Sequence, residues 1–120
     1  SMVIKADLML LTRLFLNLLD NAVKYGRRDG WVRIKAHKET VSRIAIVSIS
    51  DNGEGISGDD LPHIFKRFYR ADKARSGEGA GLGLSFAEMI ARIHHGKIIA
   101  RSEPGVETCF TVQLPLDFFS

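Results

Sequence analysis

A chain of 120 residues, 45% apolar and 26% charged, can bury one core of useful size and offers no place to divide it, which excludes disordered, fibrous and two-domain readings. The formal charge of +3 is too small to mark a nucleic-acid binder, and the single cysteine, Cys109, excludes an internal disulfide framework or a multi-thiolate zinc site and favours a reducing compartment. No apolar run reaches the ~18 residues that cross a bilayer, and the N-terminus lacks the basic-then-apolar order of a signal peptide. Ser1-Met2 reads as a cloning scar ahead of an internal start, which makes the chain an expected piece of a larger protein.

From Asp7 to Tyr25, the residues Leu8, Leu11, Phe15, Leu18 and Ala22 recur in the three-and-four step of a helix face, widened by Leu14, Leu19 and Val23. Asp7 supplies a capping oxygen and Gly26 a stop. Asn17, Asn21 and Lys24 share one side of this helix, with Asp20 flanking them. A solvated face with an Asp20–Lys24 pair accounts for that row as readily as a ligand does. Against it stands asparagine's poor helix propensity. An amide oxygen is a neutral hard ligand suited to Mg²⁺, and a lysine nearby suits phosphate.

Val32, Ile34 and Ala36 alternate with Trp31, Arg33, Lys35 and His37, which predicts a half-buried strand. After a turn at 39–42, residues 43–51 (RIAIVSISD) are more continuously apolar and predict a more central strand, joined to the first as an antiparallel hairpin. Asp51 ends it on the face of Val47 and Ile49, so its carboxylate is directed toward the packed side and needs donors. The following Asn52-Gly53-Glu54-Gly55-Ile56 is common chemistry for a plain strand-ending turn. Its two glycines equally permit positive φ and let a flat ligand approach the backbone, and the exocyclic amino group of adenine would satisfy Asp51.

Residues 52 to 80 are too long and too rich in glycine and charge for a routine connection, which predicts a lid or binding loop. Within them Leu61, Ile64, Phe65 and Phe68 predict a short helical stripe that pins the loop to the core, with Asp59 or Asp60 as cap and Pro62 in the first turn. Lys66, Arg67, Arg70, Lys73 and Arg75 have no matching acids there. They fit a solvated basic face or cations closing on a triphosphate. GEGAGLGL (77–84) brings Gly77, Gly79, Gly81 and Gly83 to the start of a second helix, where free N–H groups and the helix dipole favour phosphate. The spacing matches neither the dinucleotide fingerprint nor the P-loop.

That helix is predicted from Leu82 to His95 through Leu82, Phe86, Met89, Ile90 and Ile93, ending at Gly96. KIIARSE (97–103) and ETCFTVQLP (107–115) predict a strand pair across Pro104-Gly105, with Thr108, Phe110, Val112 and Leu114 on one face. His94 and His95 are adjacent and diverge around a helix, which argues against a shared metal, and Cys109 has no evident base partner.

In this order, NLLDNAVKYG (17–26), DNGEGI (51–56), IFKRFYRAD (64–72), GAGLGL (79–84) and the closing TVQLP strand resemble the ATP-binding catalytic domain of bacterial sensor histidine kinases. The resemblance spans nearly the whole chain, and four ordered blocks are far more specific than any one. They resemble the N, G1, F and G2 boxes of the Bergerat fold, shared with gyrase, heat-shock chaperone and mismatch-repair ATPases. The F-box-like segment favours the kinases. The resemblance implies an α+β two-layer sandwich with a mixed, mostly antiparallel sheet packed on helices. A single domain would fill residues 1–120, with the G1 loop and ATP lid at 52–80.

It further implies that Asn21 ligates Mg²⁺, that Asn17 supports the metal and phosphate end, that Lys24 holds phosphate and that Tyr25 packs on adenine or ribose. Asp51 would accept from the adenine amino group, Gly53 and Gly55 would make room for the base, and Ile56 would wall the pocket. Arg67 and Arg70 would be lid cations, and Gly79, Gly81, Leu82 and Gly83 the phosphate edge of the lid. Ala80 departs from the threonine common in the family and removes a hydroxyl contact. The phosphoacceptor histidine lies upstream in the family, and His37, His63, His94 and His95 lack its context. The family's first helix and an edge strand are also expected to be missing, which would leave a sheet edge open to pairing.

The function implied is binding of Mg·ATP and, in a homodimeric parent kinase anchored in the bacterial inner membrane, transfer of the γ-phosphoryl group to a histidine on a separate dimerisation domain. A response regulator would act downstream, nucleic acid would play no part, and the domain itself would be cytoplasmic. A site of metal, cations and backbone N–H groups is adequate for such transfer without its own general base. An ATP-gated interaction module and a conformational ATPase of the same fold are the alternatives.

Overall fold

Asp7 starts helix α1 (Leu8–Lys24): its carboxylate accepts from the Leu10 N–H at 3.0 Å, and the predicted apolar stripe buries Leu14, Leu18 and Ala22. The structure, a computed structural model, describes residues 2–69 and 83–117. Strands β1 (Val32–Glu39) and β2 (Ile44–Asp51) follow, then a single 3₁₀ turn over Leu61–His63, helix α2 (Gly83–Ile93), and strands β3 (Lys97–Glu103) and β4 (Glu107–Pro115). Leu82, where the second helical pattern begins, lies outside the described residues, and α2 ends two residues before His95.

The four strands form one sheet in the order β1-β2-β4-β3, and every described pairing is antiparallel. Register puts Asp51, Thr108 and Ser102 in one row across β2, β4 and β3. Helices cover one face of the sheet, α1 over β2 and α2 over β3 and β4, making a two-layer α+β sandwich. Between the layers lie Leu14, Leu18, Ile49, Ile90, Phe110 and Val112, each fully buried. Thr108, Phe110, Val112 and Leu114 all face this core.

Two hydrogen bonds hold the helices side by side and antiparallel. At one end the Asp7 N–H donates to His94 Nε2 at 3.0 Å, and Nδ1, carrying the ring proton, donates to the Ile90 carbonyl at 2.8 Å. At the other, Asn17 Nδ2 donates to the Gly83 carbonyl at 3.1 Å.

Two expectations are corrected. β1 is exposed along its whole length, although Val32, Ile34 and Ala36 pair with Asp51, Ile49 and Val47 and so face the helix side. The helix layer stops over β2, so nothing among the described residues covers the edge strand. The stripe of 61–68 is likewise shorter than expected. Ile64 is buried and Phe65 meets Phe110 edge-on at 6.3 Å between ring centroids. Phe68, at φ 66°, leaves the helical path and turns its ring outward. Asp60 precedes the 3₁₀ turn without a side-chain capping bond, and Pro62 lies within it.

Candidate functional site

The site assembles where the end of α1 meets the end of β2. Strand pairing carries Asp51 inward until only 5% of its surface is exposed, and burial raises its carboxyl above the ordinary value. The Gly53 N–H, donating to Asp51 Oδ1 at 2.9 Å, offsets part of that effect, while the nearby Glu107 charge adds to it. A carboxylate in this position has acceptor capacity left over for a donor from outside the chain.

The loop after Asp51 is fixed at three points. The Glu54 N–H donates to the Tyr25 carbonyl at 3.1 Å, which ties the loop to the end of α1. Gly53 passes so close beneath Tyr25 that a Cβ there would overlap the Tyr25 carbonyl oxygen and stand 2.9 Å from Asp51 Oδ1. Gly55 takes φ 81° against Pro104, whose Cα would lie 2.9 Å from a side chain at this position. The Ile56 N–H then donates to Ser102 Oγ at 2.8 Å, and Ser102 Oγ lies 2.9 Å from Thr108 Oγ1. Asn52 plays a structural part: its Oδ1 accepts from the Trp31 N–H at 2.7 Å and extends the β1–β2 pairing.

Of the residues the sequence singles out, Tyr25, Asp51, Gly53, Gly55 and Ile56 are brought together here. Tyr25 and Lys24 are half-buried, with Lys24 Nζ 5.6 Å from the Tyr25 ring centroid. Asn21, one turn earlier, is half-buried, and its carbonyl accepts from the Tyr25 N–H at 3.2 Å. Asn17 is engaged through its amide nitrogen with Gly83, which leaves its amide oxygen as an acceptor. Arg67 stacks on the outward-turned Phe68 ring at 5.2 Å. Arg70, Gly79, Gly81 and Leu82 lie outside the described residues, as do Lys73, Arg75 and Ala80.

No group of three or more His, Cys, Asp or Glu side chains among the described residues is arranged to hold a metal. The amide oxygen of Asn21 is a neutral hard donor of the kind that suits a cation keeping phosphate and water as its other ligands, the habit of Mg²⁺. Ser102 and Thr108 were absent from the sequence-derived site. Their place depends on strand register, which the order of residues in one chain does not print.

A buried carboxylate at a strand end, a glycine loop beneath the end of an amide-bearing helix, and a second helix starting at the same end define a nucleotide-binding α+β domain. Residues 6–118 match the family described as Histidine kinase-, DNA gyrase B-, and HSP90-like ATPase, and the chain belongs to it. Within that family it is an ATP-binding domain of the sensor histidine kinase kind. Sensor histidine kinase YkoH of Bacillus subtilis is 40% identical over 115 residues, 94% of this chain and 24% of that protein. The mycobacterial sensor histidine kinase MprB superposes with a TM-score of 0.84 at 30% identity, covering 94% of this chain and 76% of that one. Full-length ShkA in complex with AMPPNP superposes with a TM-score of 0.83 at 28% identity, covering 97% of this chain and 23% of that one. The chain thus spans about a quarter of the length of the curated relative YkoH.

Proposed function

We propose that this domain binds Mg·ATP and, within a longer parent kinase, delivers the γ-phosphoryl group to a histidine on a separate dimerisation domain. The observation that carries the reading is the buried Asp51 carboxylate, with one donor from its own loop and acceptor capacity to spare at the end of the amide-bearing helix. The binding of AMPPNP by ShkA supports it by likeness of fold.

In this reading Asp51 accepts from the adenine amino group, Gly53 and Gly55 admit the base, and Ile56 and Tyr25 wall it. Lys24 meets phosphate. Asn21 holds Mg²⁺, with Asn17 supporting the metal and phosphate end, and the cation's part is to neutralise phosphate charge. Arg67 and Arg70 act from the lid as cations facing the phosphates. Gly79, Gly81, Leu82 and Gly83 form the phosphate edge. In the transfer an imidazole nitrogen attacks the γ-phosphorus, the bond from that phosphorus to the bridging oxygen breaks, and ADP leaves with the electron pair. Positioning and charge neutralisation suffice, so no base is needed from this domain. The parent is read as a homodimer anchored in the inner membrane with this domain on the cytoplasmic side, signalling to a response regulator.

The test mixes this chain, γ-labelled ATP and a separately made histidine-bearing dimerisation domain. Label should appear on the histidine partner and not on this chain alone. Binding without transfer would replace the kinase with an ATP-gated module, and steady phosphate release by this chain alone would replace it with a conformational ATPase.

A further inference from the structure

The base-binding loop is held by a residue outside it. β2 ends at Asp51, so the Ile56 N–H has no ladder partner, and its acceptor is Ser102 Oγ, part-buried on β3 at 2.8 Å. Ser102 is also the register partner of Thr108, which is in turn the register partner of Asp51. With 2.9 Å between the Ser102 and Thr108 hydroxyl oxygens, the row Ser102–Thr108–Asp51 links the far end of the loop to the strand that carries the carboxylate. Gly55, backed against Pro104 of the same β3–β4 turn, removes the slack between these anchors.

We propose that Ser102 is a positioning residue for base recognition: through the Ile56 N–H and Thr108 it sets the loop that seats the purine edge against the Asp51 acceptor. The inference rests on the reading of Asp51 as the adenine acceptor and extends it to base specificity. An acceptor fixed in place rewards adenine, which presents an amino donor. It rejects guanine, which presents a carbonyl oxygen at the same edge. Loss of the Ser102 hydroxyl leaves the Ile56 N–H without its partner, and the loop relaxes away from the geometry that makes this distinction.

The experiment measures the Kd of the full chain for ATP and GTP by calorimetry in wild type, Ser102→Ala, Ser102→Thr and Asp51→Asn, with the thermal midpoint of each without nucleotide. Ser102→Ala should raise the ATP Kd about tenfold and leave the GTP Kd within about twofold, which shrinks the preference, while Ser102→Thr restores it. A folded Ser102→Ala protein that keeps the wild-type preference, or weakens ATP and GTP equally, would overturn the proposal. If Ser102→Ala does not fold, Thr108→Val removes the other hydroxyl at constant shape, and an unchanged preference there overturns it as well. An Asp51→Asn protein that retains the full preference for ATP overturns the adenine reading itself, a result separable from the Ser102 arm.

Discussion

Asp51 sits where folding and recognition pull in opposite directions. Burial raises its carboxyl above the unfolded value of 3.8, so the folded state holds that proton more tightly than the unfolded chain does. Its contribution is fully present below the unfolded value and is lost as pH rises through the folded one, which makes ionised Asp51 a cost at neutral pH. Asp51→Asn keeps an oxygen for the Gly53 N–H and removes the charge. At pH 7 it should raise the thermal midpoint of the nucleotide-free protein and weaken ATP binding by about tenfold or more. A lower midpoint in scanning calorimetry would show that the charge is favourably paired instead. Gly53→Ala puts a methyl group into the Tyr25 carbonyl and should cost roughly 1–3 kcal/mol in urea unfolding. The sequence suggested that both glycines of this loop serve for φ freedom or close approach. The structure puts positive φ at Gly55 alone and close approach at both, against the Tyr25 carbonyl at Gly53 and against Pro104 at Gly55, contacts that depend on where those residues lie in space.

Among elements, the segment that follows the glycine loop is organised around Asp60, which accepts from Ser57 Oγ at 2.8 Å and from the Tyr69 hydroxyl. The Tyr69 bond, then the Ser57 bond, lowers the Asp60 carboxyl, and the Asp60 bond in return raises the Tyr69 phenol. The Asp60 contribution is present above the unfolded value of 3.8 and is lost as pH falls through the lowered folded value; that of Tyr69 is present below 10.0 and is lost as pH rises through the raised one. In a Tyr25→Phe background, ultraviolet titration should show the remaining phenol ionising above its ordinary value, and Asp60→Asn should bring it down. A titration that ignores Asp60→Asn would remove this contact as the organiser of the segment. β1 teaches what periodicity leaves out. Its alternation shows which residues share a face but not whether a helix covers that face, so Ile34 and Ile49 are cross-strand partners with opposite environments. Ile34→Lys should change stability by less than about 0.5 kcal/mol in urea titration, whereas Ile49→Ala should cost roughly 2–5 kcal/mol. Comparable losses at the two positions would mean that the edge strand is covered in solution. The bounds of α1 and β4 were legible because each has a core-facing row long enough to display its period, those of β2 because its apolar run is nearly continuous, and those of β3 because Pro104-Gly105 separates it from β4; Phe68 was not, because a single residue at positive φ ends a helical path without changing the apolar pattern.

For the whole molecule, the described part of the proposed site draws on residues 17–25, 51–56 and 102–108; the Glu54–Tyr25 bond joins the first two, and the third reaches them because β4 lies between β2 and β3. The ordered motifs made the first two legible, while Ser102 and Thr108 became visible only with the register. Asn17 bridges to the first residue of α2 and His94 closes the opposite end of the helix pair, so a ligand held by α1 and the start of α2 acts on the helix layer as a unit. A ligand that binds the folded chain alone stabilises it by mass action, about 2.7 kcal/mol at a hundredfold excess over Kd. For a domain of this size that corresponds to a rise in thermal midpoint on the order of 10 °C. Mg·ATP should produce such a rise and ATP with chelator a smaller one, because phosphate charge would then face the α1 amides without its cation. Asn21→Ala should bring the two rises together, while Asp51→Asn makes both rises smaller, each measured from its own nucleotide-free midpoint, and preserves their separation. If Asn21→Ala leaves the Mg²⁺-dependent part intact, the cation is held elsewhere, and the metal role must pass from α1 to another part of the chain.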